Sequence, residues 1–283
     1  MPEKDDKKQW KPLEVKNQIT ITSFYSMFEN CFKTSYSFPG EYHAFWECVY
    51  VLEGKICVSG NERVYTLSKG EIIFHKPLEM HKFYVKGSTP ARLFIFSFSA
   101  DGEMLPFFYD RVFRLSPKQK DIMKSLLKYI RREKNKAHDK ISEYVHARNG
   151  KPTYIQTVAS YVTLLFLSLI DDAKTASESY SPDAETFKKA VRIMNEEIYK
   201  VLSIDDIAAR CSISRSGLKR VFGKYAGLGV HEYFMKLKIN LAARYLKSGK
   251  SVSQTAEILG FSGASYFSYA FKREIGVPPS KYK

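Results

Sequence analysis

The sequence predicts an α+β chain, with an N-terminal β domain flanked by helices and a C-terminal all-α domain of two helix-turn-helix units joined by a linker helix. Three observations carry this reading. Up to about Phe98 the apolar residues fall in short β-rich runs broken by Gly, Asn and Pro. From Ser116 their spacing becomes helical. The C-terminal third repeats itself at an offset of 48 to 49 residues.

In the front part, FWECVYVLEGKICVSG and RVYTLSKGEIIFHKP read as strands of a sandwich or barrel. SPKQKDIMKSLLKYIRREKNK then carries Ile122, Leu126, Tyr129 and Ile130 at helical spacing, with Ser116 as N-cap and Pro117 at the first helical position. A second helix after Pro152 places Ile155, Val158, Ala159, Val162, Leu165, Phe166 and Leu169 over more than one face, so it is expected to be largely buried. The two helices either cover an open side of the β domain or also form a dimer seam. DDAKTASESYSP, Asp171 to Pro182, is small, polar and Pro-terminated, as expected of a linker. The expected boundaries are therefore a β domain over 1–115, a helical segment for dimerisation over 116–172, a linker over 173–183 and a helical domain over 184–283.

The 283 residues carry a net charge of +15, and from Asp183 onward there are 18 Lys and Arg against 9 Asp and Glu. Such an excess points to nucleic acid or an anionic membrane. Membrane is disfavoured because the longest apolar run, Tyr161 to Ile170, falls short of the roughly 20 residues a spanning helix needs. MPEKDDKKQWK lacks the apolar stretch of a signal peptide. Cys31, Cys48, Cys57 and Cys211 show no C-x-x-C or zinc spacing, and free thiols in a reducing cytoplasm are expected. No nucleophile motif, P-loop or dinucleotide fingerprint appears, so no enzyme and no cofactor are expected.

Each copy of the repeat is a short helix, a tight turn and a basic helix. Ser203 with Asp206 and Ser251 with Gln254 form capping boxes. Ala208 and Ala256 suit a close helix crossing, and Gly260 suits a turn with positive φ, where the first copy has Ser212. Leu218 with Phe222, and Phe267 with Phe271, then lock the second helix inward. This is the layout of a unit whose second helix enters the DNA major groove. Between the copies, Val230 to Lys247 presents Phe234, Leu237, Leu241, Ala242 and Tyr245 on one face, as a spacer of roughly 25 Å. That length suits two recognition helices about one DNA turn apart.

IDDIAARCSISRSGLKRVFGKYAGLGVHEYFMKLKINLAARYL and GFSGASYFSYAFKREIGVPPSKY resemble the DNA-binding domain of the AraC/XylS family of bacterial transcription regulators over roughly the last hundred residues. The resemblance implies double-stranded promoter DNA as partner, a small-molecule effector, recruitment of RNA polymerase, a homodimer and a cytoplasmic bacterial protein acting as an activator, with a repressor as the alternative. Carried over by position, the base-facing residues are Ser216, Lys219 and Arg220 in the first recognition helix and Ala264, Ser265 and Tyr269 in the second. Tyr269 departs from the Arg usual in the family. Arg215, Lys224, Lys272 and Arg273 are expected on backbone phosphates.

EYHAFWECVYVLEG and KGEIIFHKPLEMHKF resemble the two strand pairs of a cupin roll, which makes the front domain a cupin-like β-roll. The positions that bind metal in metal-dependent cupins fall on Glu41, His43, Glu47 and His81, with Glu41 where the first His of that motif would stand. Glu41, His43 and Glu47 share strand parity, so they point to one face. Three readings stay open: an effector pocket walled by Phe45 and Phe83, a set of mutually satisfied structural polar groups, and a metal site. The pocket is expected and a metal is not. A metal-dependent cupin enzyme fused to a DNA-binding domain is the alternative function.

Overall fold

The computed structural model describes residues 12–136, 152–175 and 181–282. Eight strands make the front domain: β1 (Thr20–Phe32), β2 (Trp46–Glu53), β3 (Lys55–Gly60), β4 (Arg63–Ser68), β5 (Glu71–His75), β6 (His81–Val85), β7 (Ala91–Asp101) and β8 (Val112–Arg114). They form a five-stranded sheet in the order β1-β7-β2-β5-β8 and a three-stranded sheet in the order β4-β3-β6. Every ladder is antiparallel. The chain passes from β2 in the larger sheet to β3 in the smaller one through Gly54 (φ +76°), a conformation in which a side chain is strained.

The larger sheet is buried on both faces, which is why β2 reads as a nearly unbroken apolar run rather than an alternating one. Its inner face (Val49, Val51, Ile73, Leu93, Ile95) packs on Ile56, Val58, Leu67, Phe83 and Val85 of the smaller sheet. Its outer face (Cys48, Tyr50, Ile72, Phe74, Phe94, Phe96, Phe98) packs on two helices, α1 (Pro117–Lys136) and α2 (Pro152–Asp171). Ser116 caps α1 as expected: Gln119 donates its amide to the Ser116 hydroxyl, and the Ser116 amide donates to the Gln119 side chain at 2.8 Å. On α2, Val158, Val162, Leu165, Phe166 and Leu169 are buried, whereas Leu164 and Leu167 face outward, 51% and 38% exposed. By length and composition, Thr153–Asp171 could cross a membrane, so the ten-residue run in the sequence understates the helix. Here its most apolar face is spent on the sheet. After α2 the chain stays pinned to the β domain, with the Arg114 amide donating to the Lys174 carbonyl. Of the expected linker, 176–180 lie outside the described residues.

The C-terminal helices are α3 (Pro182–Glu196), α4 (Ile204–Arg210), α5 (Arg215–Tyr225), α6 (Val230–Lys247), α7 (Val252–Ile258) and α8 (Ala264–Ile275). Both capping boxes form, at Ser203/Asp206 and Ser251/Gln254. The two turns share one conformation, with φ +59° at Ser212 and +64° at Gly260. A Cβ on Gly260 would sit 2.5 Å from the Tyr199 carbonyl oxygen, so packing as well as φ requires glycine there. The single apolar face expected for α6 is one of two. Val230, Tyr233 and Phe234 pack into the first unit, while Met235, Ile239, Ala242, Ala243 and Leu246 pack into the second. A helix shared by two units must be apolar on two sides.

The outer face of the smaller sheet is covered by the helical domain. Cys57, Val64 and Met80 share a core with Ala184, Phe187, Tyr225 and Tyr233. Tyr233 donates to the Asn61 carbonyl at 3.0 Å, Asn240 to that of Leu78 at 2.9 Å, and Ser59 to that of Tyr225.

Candidate functional site

The first candidate surface is made by α5 and α8. On α5, Leu218, Val221, Phe222 and Tyr225 are buried, which turns Arg215, Ser216, Lys219 and Arg220 outward, with Lys224 half-buried. On α8, Phe267, Ala270 and Phe271 are buried, as the sequence spacing implies. Ser265, Tyr269, Lys272 and Arg273 are exposed, and Ala264 is half-buried at the start of the helix. Tyr266, which the sequence reading did not single out, is 47% exposed beside them. The ten expected contact residues therefore lie on the outer faces of two equivalent helices. Each helix is capped at its N-terminus or entered through glycine, leaving amide donors available to an anion.

The cations on these faces are not equivalent. The Arg220 guanidinium donates two hydrogen bonds to the Asp183 carboxylate, at 2.8 and 2.9 Å, and Lys224 donates to the same group at 3.0 Å. Those contacts hold the Asp183 carboxyl well below the usual carboxylate range. Arg215 pairs with Asp205 at 3.0 Å, and Arg273 with Glu274 at 3.1 Å. Lys219 and Lys272 make no ion pair among the described residues. Asp183 sits in the first turn of α3, far in sequence from α5, so no local pattern pointed to it.

The second candidate is in the β-roll, where Glu41, His43, Glu47 and His81 converge. Glu47 is on β2, opposite Ser97 of β7 and His75 of β5. His81 opens β6, and an isolated bridge with paired backbone hydrogen bonds of 3.0 Å holds Glu41 against it. His81 Nε2 lies 3.4 Å from Glu47 and 3.8 Å from Glu41, and His43 Nε2 lies 3.7 Å from Glu47 and 4.0 Å from Glu41. Glu47 and His81 are buried and Glu41 is open to solvent. Each offers one ligand atom, and all four atoms lie within 4.8 Å of one another.

The other ring nitrogens are committed. His43 Nδ1 contacts the Phe45 carbonyl and His81 Nδ1 the Glu79 carbonyl, both at 2.9 Å. A carbonyl only accepts, so both Nδ1 atoms carry protons. Burial opposes charge on Glu47, but His43 and His81 outweigh it and hold its carboxyl well below the usual range. Burial likewise disfavours the His81 imidazolium, but the facing carboxylates of Glu41 and Glu47 outweigh that, and its pKa is pushed up to about 10. The cluster is thus built to hold positive charge between two carboxylates.

Of the two expected wall residues, Phe45 stacks on the His43 ring at 3.9 Å. Phe83 instead packs with Phe32, Tyr36 and Phe38 in an aromatic layer deeper in the roll. Two buried residues that sequence reasoning missed support the cluster from behind. His75 stacks on His81 at 4.3 Å, and Glu79 lies 3.8 Å from His75. They fall on the quoted run KGEIIFHKPLEMHKF, but only the strand pairing reveals which of its polar groups turn inward.

Residues 207–283 match the family of helix-turn-helix domains and residues 31–97 the family of cupin domains. The chain is 24% identical over 286 residues to the Msm operon regulatory protein of Streptococcus mutans, covering 96% of this chain and 97% of that protein. It is 24% identical over 238 residues to the uncharacterized HTH-type transcriptional regulator YidL of Escherichia coli, covering 83% of this chain and 74% of that one. Among solved structures, an AraC-type DNA-binding-domain regulator from Chromobacterium violaceum is 31% identical over 35% of this chain and 88% of its own, with a TM-score of 0.34.

Proposed function

Since the chain is an AraC-type transcriptional regulator that joins a cupin-like ligand-binding domain to a helix-turn-helix DNA-binding domain, we propose that α5 and α8 read two successive major-groove segments of a promoter under the control of an effector at the Glu41–His43–Glu47–His81 cluster. The observation that carries this reading is the pair of equivalent basic helices, each held by buried aromatics, each preceded by a short helix with its own capping box, and both packed on α6. An 18-residue α6 spans roughly 27 Å, the scale needed to set two recognition helices along one face of a duplex.

In this reading Ser216, Lys219 and Arg220 of α5, and Ser265 and Tyr269 of α8 with Ala264 at its start, meet base edges. Arg215, Lys224, Lys272 and Arg273 meet phosphates, which position the protein without reading sequence. Arg220 must exchange Asp183 for a base to do so. The regulator acts as an activator that recruits RNA polymerase, and it pairs with a second copy through the outward faces of α1 and α2, where Ile122, Tyr161 and Leu164 line a shallow depression. It works in the cytoplasm.

The test is salt-dependent binding of the full chain to DNA upstream of its own and neighbouring genes. With those four cations on phosphates, log K falls against log salt with a slope of about −3.6. Lys272→Ala should flatten that slope by roughly one for every sequence alike. Binding that is absent, or insensitive to salt, rules the reading out. Sedimentation of the full chain at micromolar concentration reads the dimer directly.

A further inference from the structure

We propose, resting on the two-helix reading above, that α8 reads its DNA segment through thymine methyl groups, with Tyr266 and Tyr269 as the side chains that contact them. The two recognition helices then select chemically different segments, one by charged donors and the other by apolar contact.

The difference lies in the first turns, where a recognition helix meets base edges. In α5 those turns hold Arg215, Lys219 and Arg220. Arg and Lys suit the adjacent O6 and N7 acceptors of guanine. In α8 the same stretch is ASYFSY, Ala264 to Tyr269, and the cations Lys272 and Arg273 come only in the last turn. The stretch holds no Arg or Lys for guanine, no Asn or Gln for adenine and no Asp or Glu for cytosine. Ser265 and Ser268 can donate or accept, so they do not choose between bases. What is left to choose is apolar: the Ala264 methyl and two tyrosine rings. Apolar side chains in the major groove contact the C5-methyl of thymine.

The rings are placed for this contact. Phe267, Ala270 and Phe271 are buried, which turns the opposite side of α8 outward and leaves Tyr266 47% and Tyr269 65% exposed. The two tyrosines are three residues apart and so neighbours on one helix face, with Ser265 one turn before Tyr269. Large aromatic side chains exposed together mark a contact surface, unlike apolar residues scattered singly. Both rings are steadied by neighbours. The Arg273 guanidinium lies 5.9 Å from the Tyr269 ring centre, and the Phe261 ring centre 6.2 Å from that of Tyr266. A tyrosine has only two side-chain torsions, so such rings give up little freedom on binding. Against a G·C pair the ring carbons offer no donor to guanine O6 and N7, and covering those acceptors is penalised.

The experiment uses the full chain and the promoter duplex it selects, read by fluorescence anisotropy. Each thymine is replaced in turn by uracil, which keeps the base pair and removes only the C5-methyl. Uracil should weaken binding roughly three- to fivefold for each contacted methyl, within one of the two protected segments. Tyr266→Ala and Tyr269→Ala should each bind more weakly and lose the uracil effect at one of those positions. Tyr269→Phe keeps the ring and should keep the effect. Both side chains are exposed, so these variants test the contact without opening the core. Binding indifferent to uracil at every position overturns the assignment. A preference for A·T pairs that survives the swap comes from duplex shape and overturns it as well. So does a uracil effect unchanged in both alanine variants. Absence of salt-dependent binding sinks the two-helix reading itself, whereas binding at two segments with no methyl effect sinks only this assignment.

Discussion

Lys238 is the most informative single position in the helical domain. It is a buried ammonium on α6, 4% exposed, at the junction of the two helix-turn-helix units. It donates to the Lys200 carbonyl before the first unit at 2.8 Å and to the Leu259 carbonyl at the end of α7 in the second at 2.7 Å. Its charge also lies 5.0 Å from the Phe234 ring centre and 5.7 Å from that of Phe261. Lys238→Met keeps the length and apolar stem but removes the donor from the buried Leu259 carbonyl and the partly buried Lys200 carbonyl. Each unpaired carbonyl costs about 1–3 kcal/mol. The ammonium no longer has to be desolvated, which offsets part of that. A net loss of about 2–4 kcal/mol follows, or a fall of roughly 5–15 °C in Tm. Urea unfolding of the full chain, followed by helix circular dichroism, measures it. Because the residue ties one unit to the other, DNA affinity should fall even where the fold survives. A variant within about 0.5 kcal/mol of the parent, an ordinary surface effect, would refute the role assigned to this lysine.

Further outcomes can be checked alongside. Ser212 occupies the left-handed region at φ +59°, so Ser212→Gly should stabilise the chain by roughly 0.5–1 kcal/mol in urea unfolding, whereas Gly260→Ala at the matching turn should destabilise it by more than about 1 kcal/mol because the methyl meets the Tyr199 carbonyl. Asp183→Asn frees Arg220 and Lys224, so DNA binding at low salt should tighten several-fold, read by fluorescence anisotropy. The folded-state pKa of Asp183 is depressed, so its contribution to stability is complete above the usual carboxylate value and is lost as pH falls through the lowered one. Acidification should therefore cost the parent more melting temperature than the Asp183→Asn variant. Arg220→Ala should relax preference at one base pair, whereas Lys272→Ala should weaken all sequences equally, as competition binding with base-swapped duplexes would report.

What was legible in the sequence is what local chemistry decides. The capping serines, the i, i+3, i+4 stripes of α5 and α8 and the turn at Gly260 follow from neighbours within a few residues, and the structure has them where the spacing puts them. The convergence of Glu41, His43 and Glu47 was expected from strand parity, but they do not share a strand: Glu41 and His43 lie before β2, across bends at Ala44 and Phe45, and are brought to Glu47 by the bridge of Glu41 to His81. What escaped depends on segments far apart in the chain. Asp183 meets Arg220 only because α3 packs on α5, and Tyr42 meets Glu274 only because the β-roll lies on the helical domain. Phe83 shares strand parity with His81, yet Phe32 of β1 and Tyr36 and Phe38 of the segment that follows β1 pack on its ring, and parity alone cannot choose between neighbours on one face. The second apolar side of α6 was hidden for the same reason, since a stripe is read against one partner at a time.

The most direct measurement is a hydroxyl-radical footprint of the full chain on its selected promoter fragment, paired with base swaps in each protected segment. Two protected stretches about one helical turn apart on the same face are expected. Substitutions at Ser216, Lys219 or Arg220 should alter base preference in one stretch only, and substitutions at Ser265 or Tyr269 in the other only. A single protected stretch whose preference responds to both sets, or protection with no base preference in either, would contradict the reading of α5 and α8 as two recognition helices.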